Sequence, residues 1–216
     1  MLEKSLATLF ALLILATLIN RFLVWRLPER KGGEVTLRIR TWWGIVICFS
    51  LVISGPRWMT LTFFALISFL ALKEYCTLIS VHFPRWLYWG IPLNYLLIGF
   101  NCFELFLLFI PLAGFLILAT WRVLVGDPSG FLHTVSAIFC GWIMTVFALS
   151  HAAWLLMLPT TNIQGGALLV LFLLALTESN DIAQYLWGKS CGRRKVVPKV
   201  SPGKTLEGLM GGVITT

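Results

Sequence analysis

Glu178, Ser179, Asn180 and Asp181 follow closely on an apolar run that extends from Ala167 to Leu176. Carboxylates at that depth are expensive in lipid, so they are expected to face a protein interior or a water-filled cavity. Glu178 and Asp181 are three residues apart, which on a helix sets both on one face, and Tyr185 and Gly188 continue that face. Two hard oxygen ligands beside a cavity suit a divalent cation such as Mg²⁺, above all where substrate phosphates complete its coordination. The alternative is that the group marks a proton relay, or lies in a frayed, exposed helix end.

Downstream, the stretch from Gly188 to Gly208 carries Lys189, Arg193, Arg194, Lys195, Lys199 and Lys204. Lys204 stands in Ser201-Pro202-Gly203-Lys204-Thr205, where proline and glycine restrict the backbone and a helix is predicted to begin nearby. Backbone amides at a helix start, joined by a lysine, form an anion site. The Gly203-Lys204-Thr205 triplet is not a P-loop, because Pro198 stands where the first glycine is required and a membrane helix, not a strand, precedes it. Carboxylates for a metal, followed by phosphate-binding cations at a membrane surface, point to an enzyme acting on a nucleotide, a phospholipid head group, or both.

The elements that position these residues follow from composition. Of 216 residues, 58% are hydrophobic and 12% charged, against roughly 45–50% and about 25% in soluble domains. This excludes an ordinary soluble globule, a disordered chain and a collagen-like repeat. The chain reads as an all-α polytopic membrane protein with about seven transmembrane helices, near residues 5–25, 42–54, 58–72, 86–100, 103–121, 134–157 and 166–187, and the start of an eighth at Gly208. The second and third runs fall short of the roughly 20 residues a bilayer needs. Gly55-Pro56 makes them a hairpin, which the flanking Thr36–Thr41 and Lys73–Ile79 lengthen. Residues 1–165 form a scaffold; residues 166–216 hold the seventh helix, the site loop and a truncated eighth helix.

Of the 17 Lys and Arg, 14 fall in connections on one side of such a topology. The positive-inside rule then puts the N-terminus outside and the 188–207 loop in the cytoplasm. With the cations explained by topology, a nucleic-acid partner loses its support. Nine of the ten tryptophans lie near proposed helix ends, where amphipathic rings prefer the interface, and only Trp142 is mid-helix. The five cysteines form no CxxC pair and read as apolar packing residues. His82, His133 and His151 carry no metal-ligand spacing, His151 reading as a hydrogen-bonded packing residue, and Asp127 belongs to a turn.

The segment Ser179-Asn180-Asp181-Ile182-Ala183-Gln184-Tyr185-Leu186-Trp187-Gly188, then Gly192-Arg193, Pro198-Lys199, Ser201-Pro202-Gly203-Lys204-Thr205 and Glu207-Gly208, resembles the central region of the phosphatidate cytidylyltransferases, or CDP-diacylglycerol synthases. The ordered combination is specific, although it covers about a seventh of the chain. The resemblance implies conversion of CTP and phosphatidate to CDP-diacylglycerol and pyrophosphate, with Mg²⁺, at the cytoplasmic face of the cell inner (plasma) membrane. It implies that Asp181 is the metal ligand, with Glu178 or Asn180 in support. Lys204 and Lys199 would hold nucleotide or lipid phosphate, Ser201 and Thr205 would donate hydrogen bonds, and Tyr185 and Arg193 would line the substrate site. Glu207 would order the loop, with Lys204 as a candidate partner. A homodimer is left open.

One departure bears on activity. The family carries a second, C-terminal signature of acids and cations, and nothing here corresponds to it. The chain is therefore expected to be an N-terminal fragment or truncated product, inactive alone. The competing expectations are a transporter or flippase for an amphiphilic anion that uses Glu178 and Asp181 as a proton relay, a non-catalytic membrane scaffold, and a CTP-using polyprenol kinase that would yield CDP.

Overall fold

The structure, a computed structural model, describes residues 2–26, 33–79, 83–126, 130–158 and 165–216. Arg30, Lys31, His82 and Asp127 lie outside the described residues. The chain divides into two compact units, Met1–Gly166 and Ala167–Thr216.

In the first unit, α1 (Leu2–Arg26) pairs with α2 (Glu34–Ser54) through Trp43 Nε1, which donates to Thr17 Oγ1 at 3.0 Å, and Asn20 Nδ2, which donates to Thr36 Oγ1 at 3.1 Å. Gly55-Pro56 ends α2 because the residue before a proline is driven out of the helical region, and Gly55 is extended. The chain restarts at once as α3 (Arg57–Leu78), and the Thr60 hydroxyl reaches back to the Val52 carbonyl at 2.8 Å. The two short apolar runs are thus a pair of full-length helices, lengthened at their flanks.

A 3₁₀ turn, Arg85–Trp89, runs into α4 (Gly90–Gly99). At rises of about 2.0 Å and about 1.5 Å per residue this piece is about 25 Å long, shorter than the hydrocarbon core of about 30 Å. Next, α5 (Phe103–Leu108) and α6 (Phe115–Leu124) are joined by a π-helical stretch, Phe109–Gly114, that contains Pro111. Proline cannot donate to the helical ladder, and the backbone widens around it. A second π-helical stretch, Ile143–Phe147, joins α7 (Phe131–Trp142) to α8 (Ala148–Leu155). There the Thr145 hydroxyl donates to the Gly141 carbonyl at 2.7 Å, a side-chain insertion of the kind that distorts the ladder. His151 Nδ1 lies 2.7 Å from the Phe147 carbonyl oxygen, and its ring packs against Phe106 and Phe147. Its surroundings match a hydrogen-bonded packing residue.

Trp142 is buried. Its ring fills space left by two glycines: a Cβ on Gly90 would stand 2.9 Å from Trp142 Cζ2, and one on Gly114 2.8 Å from Cζ3. This tryptophan departs from the interfacial rule because it serves helix packing.

In the second unit, α9 (Gly165–Cys191) continues without a break through Glu178–Asp181. The segment expected to be a loop is an antiparallel hairpin of β1 (Lys195–Val197) and β2 (Ser201–Thr205), followed by α10 (Leu206–Thr215). The difference has a local cause. Val196 and Val197 are β-branched, and Pro198 takes the second position of a turn that Val200 N closes on the Val197 carbonyl at 3.1 Å.

Among the described residues, six helices are long and apolar enough to cross a membrane: Glu3–Arg26, Val35–Ser54, Arg57–Leu78, Phe103–Leu124, Phe131–Leu155 and Gly165–Cys191. All seven expected runs are helical, the fourth being the short one. The architecture is that of an all-α polytopic membrane protein, with the small hairpin as its one departure among the described residues.

Candidate functional site

The second unit contains every residue singled out for chemistry. On α9, Asp181 is exposed, and Glu178, Asn180 and Tyr185 are half-buried. Lys189 Nζ donates to the Tyr185 hydroxyl at 3.3 Å, which continues a polar face along the helix from the two carboxylates. Among the described residues no group of three or more His, Cys, Asp and Glu assembles to hold a metal ion. Glu178 and Asp181 are two carboxylates three residues apart on α9.

The hairpin aims Lys204. Lys195 pairs with Thr205 and Val197 with Ser201, so Pro202, Gly203 and Lys204 stand opposite Val196 alone. Proline has no N–H for the ladder and glycine tolerates the bend, so the extra residues collect there as a bulge. Bulges re-aim side chains, and here Lys204 Nζ donates to Gln184 Oε1 on α9 at 3.3 Å. Gln184 Nε2 in turn donates to Asn180 Oδ1, one turn earlier, at 3.2 Å. The row Asn180–Gln184–Lys204 therefore carries the β2 cation onto α9, one helical turn past Asp181. Sequence reasoning passed over Gln184, although a second amide four residues after Asn180 on an apolar helix was a signal.

Close contact between α9 and α10 underlies this geometry. A Cβ on Gly208 would stand 2.8 Å from the Gln184 carbonyl oxygen, and one on Gly212 would stand 2.6 Å from Asn180 Oδ1. The Gly208-x-x-x-Gly212 spacing serves helix approach inside the unit. Trp187 packs on Gly211 and donates from Nε1 to Thr215 Oγ1 at 2.9 Å.

The start of α10 is occupied by the protein's own groups. Thr205 is buried and caps the helix, its Oγ1 accepting from Gly208 N at 3.2 Å, while Leu206 N donates to the Arg194 carbonyl at 2.8 Å. Glu207 accepts from Arg193 N at 2.9 Å and from Arg194 N at 3.1 Å. These backbone bonds, Arg193 first, hold the Glu207 carboxyl below the usual carboxylate range; Glu207 lies outside the six long apolar helices. Glu207 does order this region, through the amides of Arg193 and Arg194, while Lys204 turns to Gln184. Of the remaining candidates, Arg193 is exposed, Lys199 is exposed in the turn between the strands, and Ser201 is half-buried at the start of β2. Lys199 and Lys204 thus sit at separate points of the hairpin, turn and bulge.

The arrangement joins the helix that bears Glu178 and Asp181 to a cationic hairpin through Lys204 and Gln184, and the chain is similar in sequence to known proteins. The chain is 98% identical over 215 residues to the uncharacterized protein YnbB of Escherichia coli (strain K12), a match that covers all of this chain and 72% of that one. It is 33% identical over 111 residues to the phosphatidate cytidylyltransferase of Bacillus subtilis (strain 168), covering 49% of this chain and 37% of that enzyme. It is 46% identical over 50 residues to the phosphatidate cytidylyltransferase of Haemophilus influenzae, covering 23% of this chain and 17% of that enzyme. No solved structure gives a significant match. The cytidylyltransferase family matches residues 36–216, hairpin and acidic helix included, and the chain belongs to that family.

Proposed function

We propose that this chain carries the acidic-helix and hairpin part of a phosphatidate cytidylyltransferase, which joins CTP to phosphatidate and releases pyrophosphate. The observation that carries the reading is the Lys204–Gln184 bond, which brings a cation to the helix that bears Glu178 and Asp181. In the reaction a phosphatidate oxygen forms a bond to the α-phosphorus of CTP, the bond from that phosphorus to the β-phosphate bridging oxygen breaks, and pyrophosphate leaves. The phosphate nucleophile is already anionic at neutral pH, so no strong general base is required. The protein must offset phosphate repulsion and align the attack.

Lys204 and Lys199 would bind phosphate oxygens, with Arg193 beside them and Ser201 and Tyr185 offering hydroxyls. Thr205, expected from the family motif to donate a hydrogen bond, is buried and would act through the cap its oxygen places on α10. Glu178 and Asp181 would hold Mg²⁺, with Asn180 in support, and the ion would supply charge neutralisation at the phosphates. The excess of Lys and Arg on one side of the seven-run topology supports a cytoplasmic site and an external N-terminus, and the plasma membrane is part of the proposal. The chain spans 72%, 37% and 17% of the three relatives named above, so the activity concerns the protein at the length of its Escherichia coli relative.

The test is an assay of that longer protein, purified in detergent with phosphatidate and radiolabelled CTP. Labelled CDP-diacylglycerol and pyrophosphate are expected, and both depend on Mg²⁺. The same protein reconstituted in lipid vesicles would show pH-driven uptake without turnover if it were a transporter, and a CTP-dependent kinase would give CDP; either result overturns the reading.

A further inference from the structure

Glu207 is the anion nearest in sequence to Lys204, yet its carboxylate is directed at backbone. It takes the amides of two successive residues, Arg193 N at 2.9 Å and Arg194 N at 3.1 Å. Arg194 is held from its other side as well, because its carbonyl accepts from Leu206 N at 2.8 Å. The turn that follows α9 is thereby tied to the first turn of α10 across 12 to 14 residues of sequence. Arg193 and Arg194 are exposed, and so is every residue from Gly192 to Val200. Little burial holds this turn: Gly192 N donates to the Gly188 carbonyl at 3.1 Å before it, Lys195 pairs with Thr205 after it, and the Glu207 and Leu206 bonds fix the two residues between. A carboxylate bonded to amide donors makes charge-assisted bonds, roughly twice as strong as neutral ones.

We propose that Glu207 is a positioning residue: by clamping the backbone amides of Arg193 and Arg194, it sets the direction in which the Arg193 guanidinium meets a nucleotide phosphate. The inference rests on Arg193 binding phosphate, as read above. It assigns Glu207 a role distinct from neutralising Lys204 or favouring the start of α10 by its charge. One oxygen, Oε2, accepts from both amides, and Oε1 lies 3.3 Å from Arg194 N. Glutamine keeps the length of the side chain but removes the charge that strengthens both bonds, and its NH₂ takes the place of the oxygen that also accepts from Arg194 N. Aspartate keeps the charge near the helix start but is one methylene too short to span the gap.

The experiment uses the protein at the length of its Escherichia coli relative, in detergent, with CTP as titrant and phosphatidate turnover as the second readout. Arg193→Ala is expected to weaken CTP binding about tenfold, the scale of a lost hydrogen bond to a charged group. Glu207→Gln and Glu207→Asp should weaken it to a similar extent, raising the KM for CTP and leaving that for phosphatidate unchanged. Combining Glu207→Gln with Arg193→Ala should add little, because both act through one contact. Unchanged CTP affinity in both Glu207→Gln and Glu207→Asp alongside weakened Arg193→Ala overturns the clamp and leaves the phosphate role of Arg193 standing. Fully multiplicative losses in the double variant also overturn it. Unchanged affinity in Arg193→Ala overturns the phosphate role of Arg193, and the clamp's purpose with it. Hydrogen exchange on the unmutated protein checks the clamp without substitution: the Arg193 and Arg194 amides should be protected, and unprotected exchange there overturns it.

Discussion

Gly208 of α10 lies against the carbonyl oxygen of Gln184 in α9, so closely that a Cβ would stand 2.8 Å away. That oxygen belongs to the main chain of a continuous helix and cannot turn aside. Gly208→Ala is expected to force α10 off α9 and to destabilise the second unit by about 1–3 kcal/mol, the usual cost of overpacking. Gly203→Ala, at a bulge position open to space, is the matched control. Limited proteolysis of the hairpin should accelerate in the first variant and not in the second.

Gly212 presses on the side chains that hold Lys204, with a Cβ there standing 2.6 Å from Asn180 Oδ1. Gly212→Ala should displace the Asn180–Gln184 pair and so loosen the Lys204 ammonium. The expected readout is a several-fold rise in the KM for CTP. Gln184→Leu should reproduce it by removing the acceptor directly, and agreement between the two in steady-state kinetics would tie the effect to the Lys204–Gln184 bond.

Thr205 is 5% exposed and caps α10. Thr205→Ala should cost about 1 kcal/mol of stability, whereas Thr205→Ser should recover most of it. Thermal unfolding separates the two. By contrast, Lys204→Gln is expected to leave the unfolding midpoint nearly unchanged while lowering turnover by about 10²–10³, the scale of removing one group that stabilises developing charge.

Glu207 is held below its ordinary value by the bonds from Arg193 and Arg194, with the positive charge of Arg194 assisting. A carboxyl lowered in the folded state contributes stability that is fully present above its unfolded value and lost as pH falls through the folded one. Amide exchange at Arg193 and Arg194, corrected for intrinsic rates, should therefore stay slow from neutral pH down through the ordinary glutamate range. Protection should collapse below that range, and Glu207→Gln should show no such step.

Membrane class was legible in the sequence because the transfer free energy of a helix is a sum over its residues, whatever their neighbours. The same holds for the acidic face of α9: a three-residue spacing on a helix brings Glu178 and Asp181 together without reference to any other element. Gly208 and Gly212 are four residues apart, a spacing that puts two small residues on one helix face without reference to any other element. The family motif added the hairpin residues to the candidate site, but not their geometry.

Tertiary structure decided where those residues point. Lys204 meets Gln184, 20 residues away, because a strand register leaves three residues opposite one. Glu207 bonds the main chain of Arg193, 14 residues away, instead of its neighbour in sequence Lys204. Trp142 leaves the interface for the core because Gly90 and Gly114, distant in sequence, make room for its ring. Each outcome depends on register and close approach between separate segments. Composition and periodicity carry no term for that, since they add up residues one helix at a time.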